Sequence, residues 1–301
     1  MKTPSKRVIQ SIVGLKYNKI NNMETFKGKA IYNPSGKAGE YSSWACNFYT
    51  GCSNGCDYCY LKKGRGAKVL GGDVPVLKKC FKDEDHAIEV FEKELMQNLS
   101  ELQKSGLFFS FTTDPMLPET IDLTIKAVKI CVYHSVNVKI LTKRADFAEK
   151  FFRPLCSKSS INERLLHIAY TNHVAFGFTL TGFDEREPNT STNLDRIEAM
   201  KILHDSGYKT FASIEPIVDI DKSMSMILET QGFCDLYKVG LMSGAKYHWQ
   251  DLRGMMMACI NLNGQFYFKD SFYKQADLTR EILFDHFVGR DYDIFKDKNR
   301  V

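Results

Sequence analysis

Between residues 83 and 104 the apolar side chains Ile88, Phe91, Leu95, Leu99 and Leu102 recur three or four apart among Glu and Lys, the spacing of a helix with one buried face. The stretch 193–205 repeats the pattern. There Leu194, Ile197, Met200 and Leu203 share a face, and Gly207 follows where a helix C-cap stands. Further helical segments are predicted at 119–134, 145–157, 219–230 and 247–261. Between them lie short β-rich runs, which predict strands at 43–49, 107–111, 136–141, 174–180, 208–214 and 236–239, with one more at 265–269. Strands that alternate with helices of this length pair in parallel through right-handed crossovers. Six such units predict an α/β fold, a partial (βα)6 TIM-type barrel. With no internal repeat or long linker, one barrel domain is expected over 43–270, with an N-terminal extension at 1–42 and a C-terminal extension at 271–301. In such folds the reacting groups collect at the carboxyl ends of the strands.

Composition narrows the class. A chain of 301 residues with 44% hydrophobic and 26% charged residues is neither disordered, collagenous nor a disulfide scaffold. The net charge of +5 permits an anionic substrate without demanding one. Apolar runs such as 255–260 fall far short of the roughly 20 residues that span a bilayer. The first ten residues are polar and basic, with no secretory signal, so a cytoplasmic protein without a membrane partner is expected. Nine cysteines, an odd number scattered along the chain, suit reduced thiols.

Only Cys52, Cys56 and Cys59 are crowded with a regular spacing, on a glycine-containing loop after the first predicted strand. Such a loop can point three thiolates inward around one compact inorganic centre. A four-iron cube held by three cysteines keeps one iron open to a small molecule. A structural zinc needs four ligands. Cys46, six residues upstream, would complete such a site in a non-catalytic module, with the basic run 62–68 touching nucleic acid.

The spacing C-x-x-x-C-x-x-C, with Tyr58 just before the last cysteine, resembles the signature of the radical S-adenosylmethionine (radical SAM) superfamily. The motifs around it, Asn47-Phe48-Tyr49-Thr50-Gly51-Cys52 and Tyr58-Cys59-Tyr60-Leu61, are similar to the spore photoproduct lyase-like branch. So are Thr112-Thr113-Asp114-Pro115, Leu141-Thr142-Lys143 and Ile214-Glu215-Pro216-Ile217. The last of these, with Tyr267-Phe268-Lys269-Asp270, also resembles phage-associated radical SAM proteins of unknown function.

The resemblance implies a 4Fe-4S cluster on Cys52, Cys56 and Cys59, with S-adenosylmethionine chelating the open iron through its amino and carboxylate groups. It implies reductive cleavage to methionine and a 5′-deoxyadenosyl radical, hydrogen abstraction from a substrate, and a reducing electron donor such as flavodoxin or ferredoxin. On this reading Tyr58 presses against the adenine. Thr112, Thr113 and Asp114 end the second strand and reach the methionyl amine or the substrate. Lys143 faces the cofactor carboxylate or an anionic substrate. Ser213 and Glu215, which alternation turns to one face, suit the two ribose hydroxyls. Lys269 and Asp270 form part of a substrate wall, and no residue is assigned the catalytic step. The narrower reading, a lyase acting on DNA photoproducts, requires a further cysteine as hydrogen donor near the second strand, and the chain has none between Cys80 and Cys131.

Overall fold

Parallel strands covered on both faces read as near-continuous apolar runs, and two strands of this molecule are covered in this way. All six residues of Val174–Thr179 are buried, and so are all six of Leu236–Leu241. The computed structural model describes residues 25–64, 66–148, 160–280 and 285–296. In chain order the strands are β1 (Ile31–Tyr32), β2 (Ala45–Cys46), β3 (Tyr49–Thr50), β4 (Val76–Leu77), β5 (Leu107–Phe109), β6 (Val138–Thr142), β7 (Val174–Thr179), β8 (Lys209–Ile217), β9 (Leu236–Leu241) and β10 (Gln265–Phe268). Eight of them form one sheet in the order β1-β2-β5-β6-β7-β8-β9-β10. Only the β1–β2 pairing is antiparallel. This is the mostly parallel sheet of a partial TIM-type barrel, and β3 and β4 form a separate antiparallel pair.

Alternation along the strands divides the core. Outward side chains such as Phe176 and Phe178 pack under the helices Glu84–Gln97, Ile121–Tyr133, Asn193–Asp205, Ile220–Thr230 and Trp249–Ala258. Inward ones, Phe108, Ala175, Phe211, Leu236 and Tyr267, form a second apolar cluster inside the barrel. Gly177 makes room there, since a Cβ at that position would lie 2.2 Å from the Phe211 ring. Two residues further along β8 the inward positions become Ser213 and then Glu215. The barrel interior therefore changes from apolar to polar toward the carboxyl ends of its strands.

Several expectations need correction. The strand expected at 43–49 is split, with 45–46 joining the barrel and 49–50 pairing with β4. Asn47 turns the chain between them, its Oδ1 accepting from Phe111 N and its amide donating to Tyr32 Oη. The helix expected across 83–104 breaks at Asn98, whose amide takes the Glu94 carbonyl at 2.8 Å and competes with the helical bond. Leu194 was expected on the buried face of its helix but is 71% exposed, and Arg196 is buried instead. The guanidinium is satisfied by Glu187, Thr190 and the Thr179 and Ser191 carbonyls. The helix expected at 145–157 falls mostly outside the described residues.

The described parts of the expected extensions pack onto the barrel. Glu94 accepts from the backbone N–H groups of Lys29, Ala30 and Ile31, fastening β1 to the helix layer. Beyond residue 270, Phe287 forms a parallel bridge with Phe266 at the β10 edge.

Candidate functional site

The cysteine loop leaves β3 through Gly51, whose φ of +86° favours glycine and where a Cβ would lie 2.4 Å from Val74 O. Cys52 N donates to Gly72 O at 2.9 Å, and Gly55, at φ +71°, turns the loop again. Three side-chain contacts tie the loop to the segments that follow β5 and β7. Asn189 Nδ2 donates to Ser53 O at 3.0 Å, Arg186 Nε pairs with Asp57 at 2.8 Å, and Asn54 Nδ2 donates to Asp114 Oδ2 at 2.9 Å.

Asp114 takes four donors. Met116 N and Thr142 Oγ1 reach its Oδ1 at 3.0 and 2.6 Å, and Asn54 Nδ2 and Lys143 N reach its Oδ2 at 2.9 and 2.8 Å. Four bonds fill the acceptor capacity of a carboxylate, so this group locks the loop to the ends of β5 and β6.

Cys52, Cys56 and Cys59 open with these strand ends onto one cavity of about 480 Å3. Nine of the ten residues expected at the site line it: Cys52, Cys56, Cys59, Tyr58, Thr113, Asp114, Lys143, Ser213 and Glu215. The tenth, Thr112, is spent elsewhere, its hydroxyl donating to Tyr49 O at 2.5 Å. Lys269 also lines the cavity. Asp270 instead pairs with Arg280 and Arg290, each at 2.6 Å, and does not line the cavity.

Tyr58 hydrogen-bonds through its hydroxyl to Glu187, and its ring lies beneath the Lys143 ammonium at 5.5 Å. Glu187 pairs with Arg196 at 2.6 Å and approaches Lys143 at 3.8 Å. On the opposite wall Tyr41 Oη lies 2.6 Å from Ser213 Oγ and donates to Glu215 Oε2 at 2.8 Å, and Lys269 pairs with the same oxygen. Glu187, Arg196, Asn54 and Tyr41 were not expected at the site. Arg196 shares a helix face with Met200 and Leu203, but its charge argues for solvent, and Tyr41 lies between β1 and β2 with no motif around it.

Among the described residues no three His, Cys, Asp or Glu side chains meet as a site for a single metal ion. Three thiols opening onto one cavity beside polar strand ends are, by their chemistry, donors suited to a larger multi-iron cluster. The three cysteines are free thiols. Burial, reinforced by the Asp114 charge, pushes the Cys52 thiol up to about 12, and burial raises Cys56, so a cationic centre is what would displace their protons. Thr113 Oγ1 and Asn54 Oδ1 are buried with no partner among the described residues, both at the cavity wall. Such polar atoms carry a cost that a bound ligand relieves. The zinc alternative loses its fourth ligand, because Cys46 is fully buried in the layer beneath the helices and does not line the cavity. The basic run contributes Lys63 to the cavity wall, while Lys62 pairs with Asp73 and Arg65 lies outside the described residues.

Residues 46–234 match the family model of the radical SAM superfamily. The uncharacterized protein MJ0683 of Methanocaldococcus jannaschii is 24% identical over 220 residues, covering 70% of this chain and 74% of that protein. Among solved structures, Streptococcus suis SuiB bound to its precursor peptide SuiA is similar with a TM-score of 0.50 at 12% identity, covering 80% of this chain and 52% of SuiB. That likeness concerns the fold alone. Spore photoproduct lyase complexed with dinucleoside spore photoproduct gives a TM-score of 0.49 at 14% identity, covering 85% of this chain and 79% of the lyase. No helix among the described residues is long and apolar enough to cross a membrane.

Proposed function

The chain belongs to the radical SAM superfamily, whose enzymes bind a 4Fe-4S cluster and S-adenosylmethionine and need a reductant and a substrate, and from that premise we propose a role for each group in the cavity. Cys52, Cys56 and Cys59 hold the cluster as thiolates. When bound, the cluster supplies one electron that cleaves S-adenosylmethionine into methionine and a 5′-deoxyadenosyl radical, which abstracts hydrogen from the substrate. A reduced flavodoxin or ferredoxin is the class of donor that delivers the electron.

The chain's own residues bind and orient. Thr113 offers an unpartnered buried hydroxyl to the methionyl end of the ligand. Lys143, with its backbone fixed by Asp114 and its ammonium over Tyr58, faces the carboxylate. Tyr58 packs against the adenine, with Glu187 and Arg196 holding its hydroxyl from behind. Ser213 and Glu215 accept from the ribose hydroxyls. Asp114 acts through the loop, since its four bonds leave it no further acceptor site.

One observation carries this reading: the three crowded cysteines and the polar ends of β6, β7 and β8 open onto the same cavity. The test is anaerobic reconstitution with iron and sulfide. About four irons per chain, a brown colour and release of methionine and 5′-deoxyadenosine under strong reductant are expected. A colourless protein with stoichiometric zinc would overturn the reading.

For a photoproduct lyase the geometry lends no specific support. Apart from the three ligand cysteines, no described cysteine lines the cavity: Cys46, Cys131, Cys234 and Cys259 are buried in the core, and Cys80 is exposed.

A further inference from the structure

Tyr41 comes from the segment between β1 and β2 and lines the cavity. Its ring packs against Phe108 and Phe111 at 5.5 and 6.0 Å, with the Lys269 ammonium 4.1 Å from its centroid. The backbone beneath it is pinned on both sides. Lys238 Nζ donates to the Glu40 and Tyr41 carbonyls at 2.9 and 3.2 Å, and the Glu40 carboxylate accepts from Tyr267 Oη and Asp270 N, each at 2.9 Å. The phenol cannot leave its place without breaking buried bonds to β9 and β10.

A phenol has one proton to give. The Tyr41 hydroxyl gives it to Glu215 Oε2, so the 2.6 Å contact with Ser213 must run the other way, with Ser213 donating to Tyr41. Burial and the Glu215 charge hold the phenol well above its ordinary pKa, which keeps it protonated. Glu215 Oε2 is thus engaged by Tyr41 and Lys269, while no described residue bonds to Oε1. Gly240 leaves the space that this arrangement needs, because a Cβ there would lie 2.7 Å from Glu215 Cδ and 2.9 Å from Lys269 Cδ.

We propose that Tyr41 is a positioning residue that turns this wall of the cavity into a pure acceptor pair, Ser213 Oγ and Glu215 Oε1, for a ligand carrying two neighbouring hydroxyls. The proposal rests on the S-adenosylmethionine reading above, in which the ribose is that diol. Tyr41 has no contact of its own with the diol and acts through the two side chains it orders.

The test is a double-mutant cycle on full-length, cluster-reconstituted protein, reading the dissociation constant of S-adenosylmethionine by equilibrium dialysis without reductant. Tyr41→Phe keeps the ring packing and is expected to weaken binding about tenfold at unchanged iron content. In a Glu215→Ala background the same substitution is expected to change affinity less than twofold. Gly240→Ala, which displaces Glu215 and leaves the phenol intact, is expected to reproduce the loss, and it carries the test if Tyr41→Phe does not fold. Unchanged affinity in Tyr41→Phe or in Gly240→Ala, or a full Tyr41 effect without Glu215, overturns the proposal while leaving the cofactor reading intact. Wild-type protein that holds its cluster yet binds no S-adenosylmethionine overturns both.

Discussion

Glu187 and Arg196 meet at 2.6 Å with both side chains fully shielded from solvent, directly behind the tyrosine of the cysteine loop. A buried pair of this kind is costly to break from one side, because the remaining charge has nowhere to go. Glu187→Ala is therefore expected to cost about 3–5 kcal/mol and to loosen Tyr58. Urea denaturation of the two proteins decides this, and a loss below about 1 kcal/mol would place the pair among contacts of no energetic weight.

Cys56 and Cys259 are both buried, yet only the first opens onto the cavity. Cys56→Ala is expected to reduce iron after reconstitution to background. Cys259→Ala should keep its iron at a stability cost of roughly 1–2 kcal/mol. Equal iron in the two variants would remove Cys56 from the ligand set.

The four donors around Asp114 give a third expectation. Asp114→Ala leaves Asn54, Thr142, Lys143 and Met116 facing an empty position, a loss of about 3 kcal/mol. Because the cysteine loop hangs on one of these bonds, cluster retention during gel filtration should fall along with the melting temperature. A variant that melts lower but keeps its iron would separate the loop from this carboxylate.

Lys238 predicts a pH dependence. Burial first, then the charges of Lys139 and Lys269 against those of Glu40 and Glu215, hold its ammonium well below the ordinary 10.5. In the window between that lowered value and 10.5 the unfolded chain binds a proton that the folded chain does not, so this group makes stability rise with pH. Below the window the penalty is complete, and above it the penalty vanishes. Lys238→Met should flatten the rise, as measured by denaturation midpoints across the alkaline range. A slope equal to the wild type would show that the ammonium remains charged inside the barrel.

Much of this architecture is legible in the residues themselves. The strands of the barrel show as apolar runs because helices cover one face and the barrel interior the other, and the three cysteines stand out because no other thiols are so closely spaced. What escapes a reading along the chain is what depends on distant partners. Arg196 is buried although its charge argues for solvent, because a carboxylate nine residues earlier meets the guanidinium. Tyr41 is 172 residues from the serine it bonds, and nothing near it in the sequence marks that meeting. Glu215 and Lys269 announce themselves only as residues at strand ends, and their pairing needs the bare backbone of Gly240 between them.

The anchoring of Glu40 and Tyr41 also bears on the order in which the protein is completed. The anchors Lys238 and Tyr267 follow Glu40 by about two hundred positions, at separations of 198 and 227. On a ribosome, the cysteine loop emerges before either anchor, so the cavity beside it gains this wall only after both have been made. Contacts so far apart in sequence are slow to form, so this wall of the cavity closes late in folding.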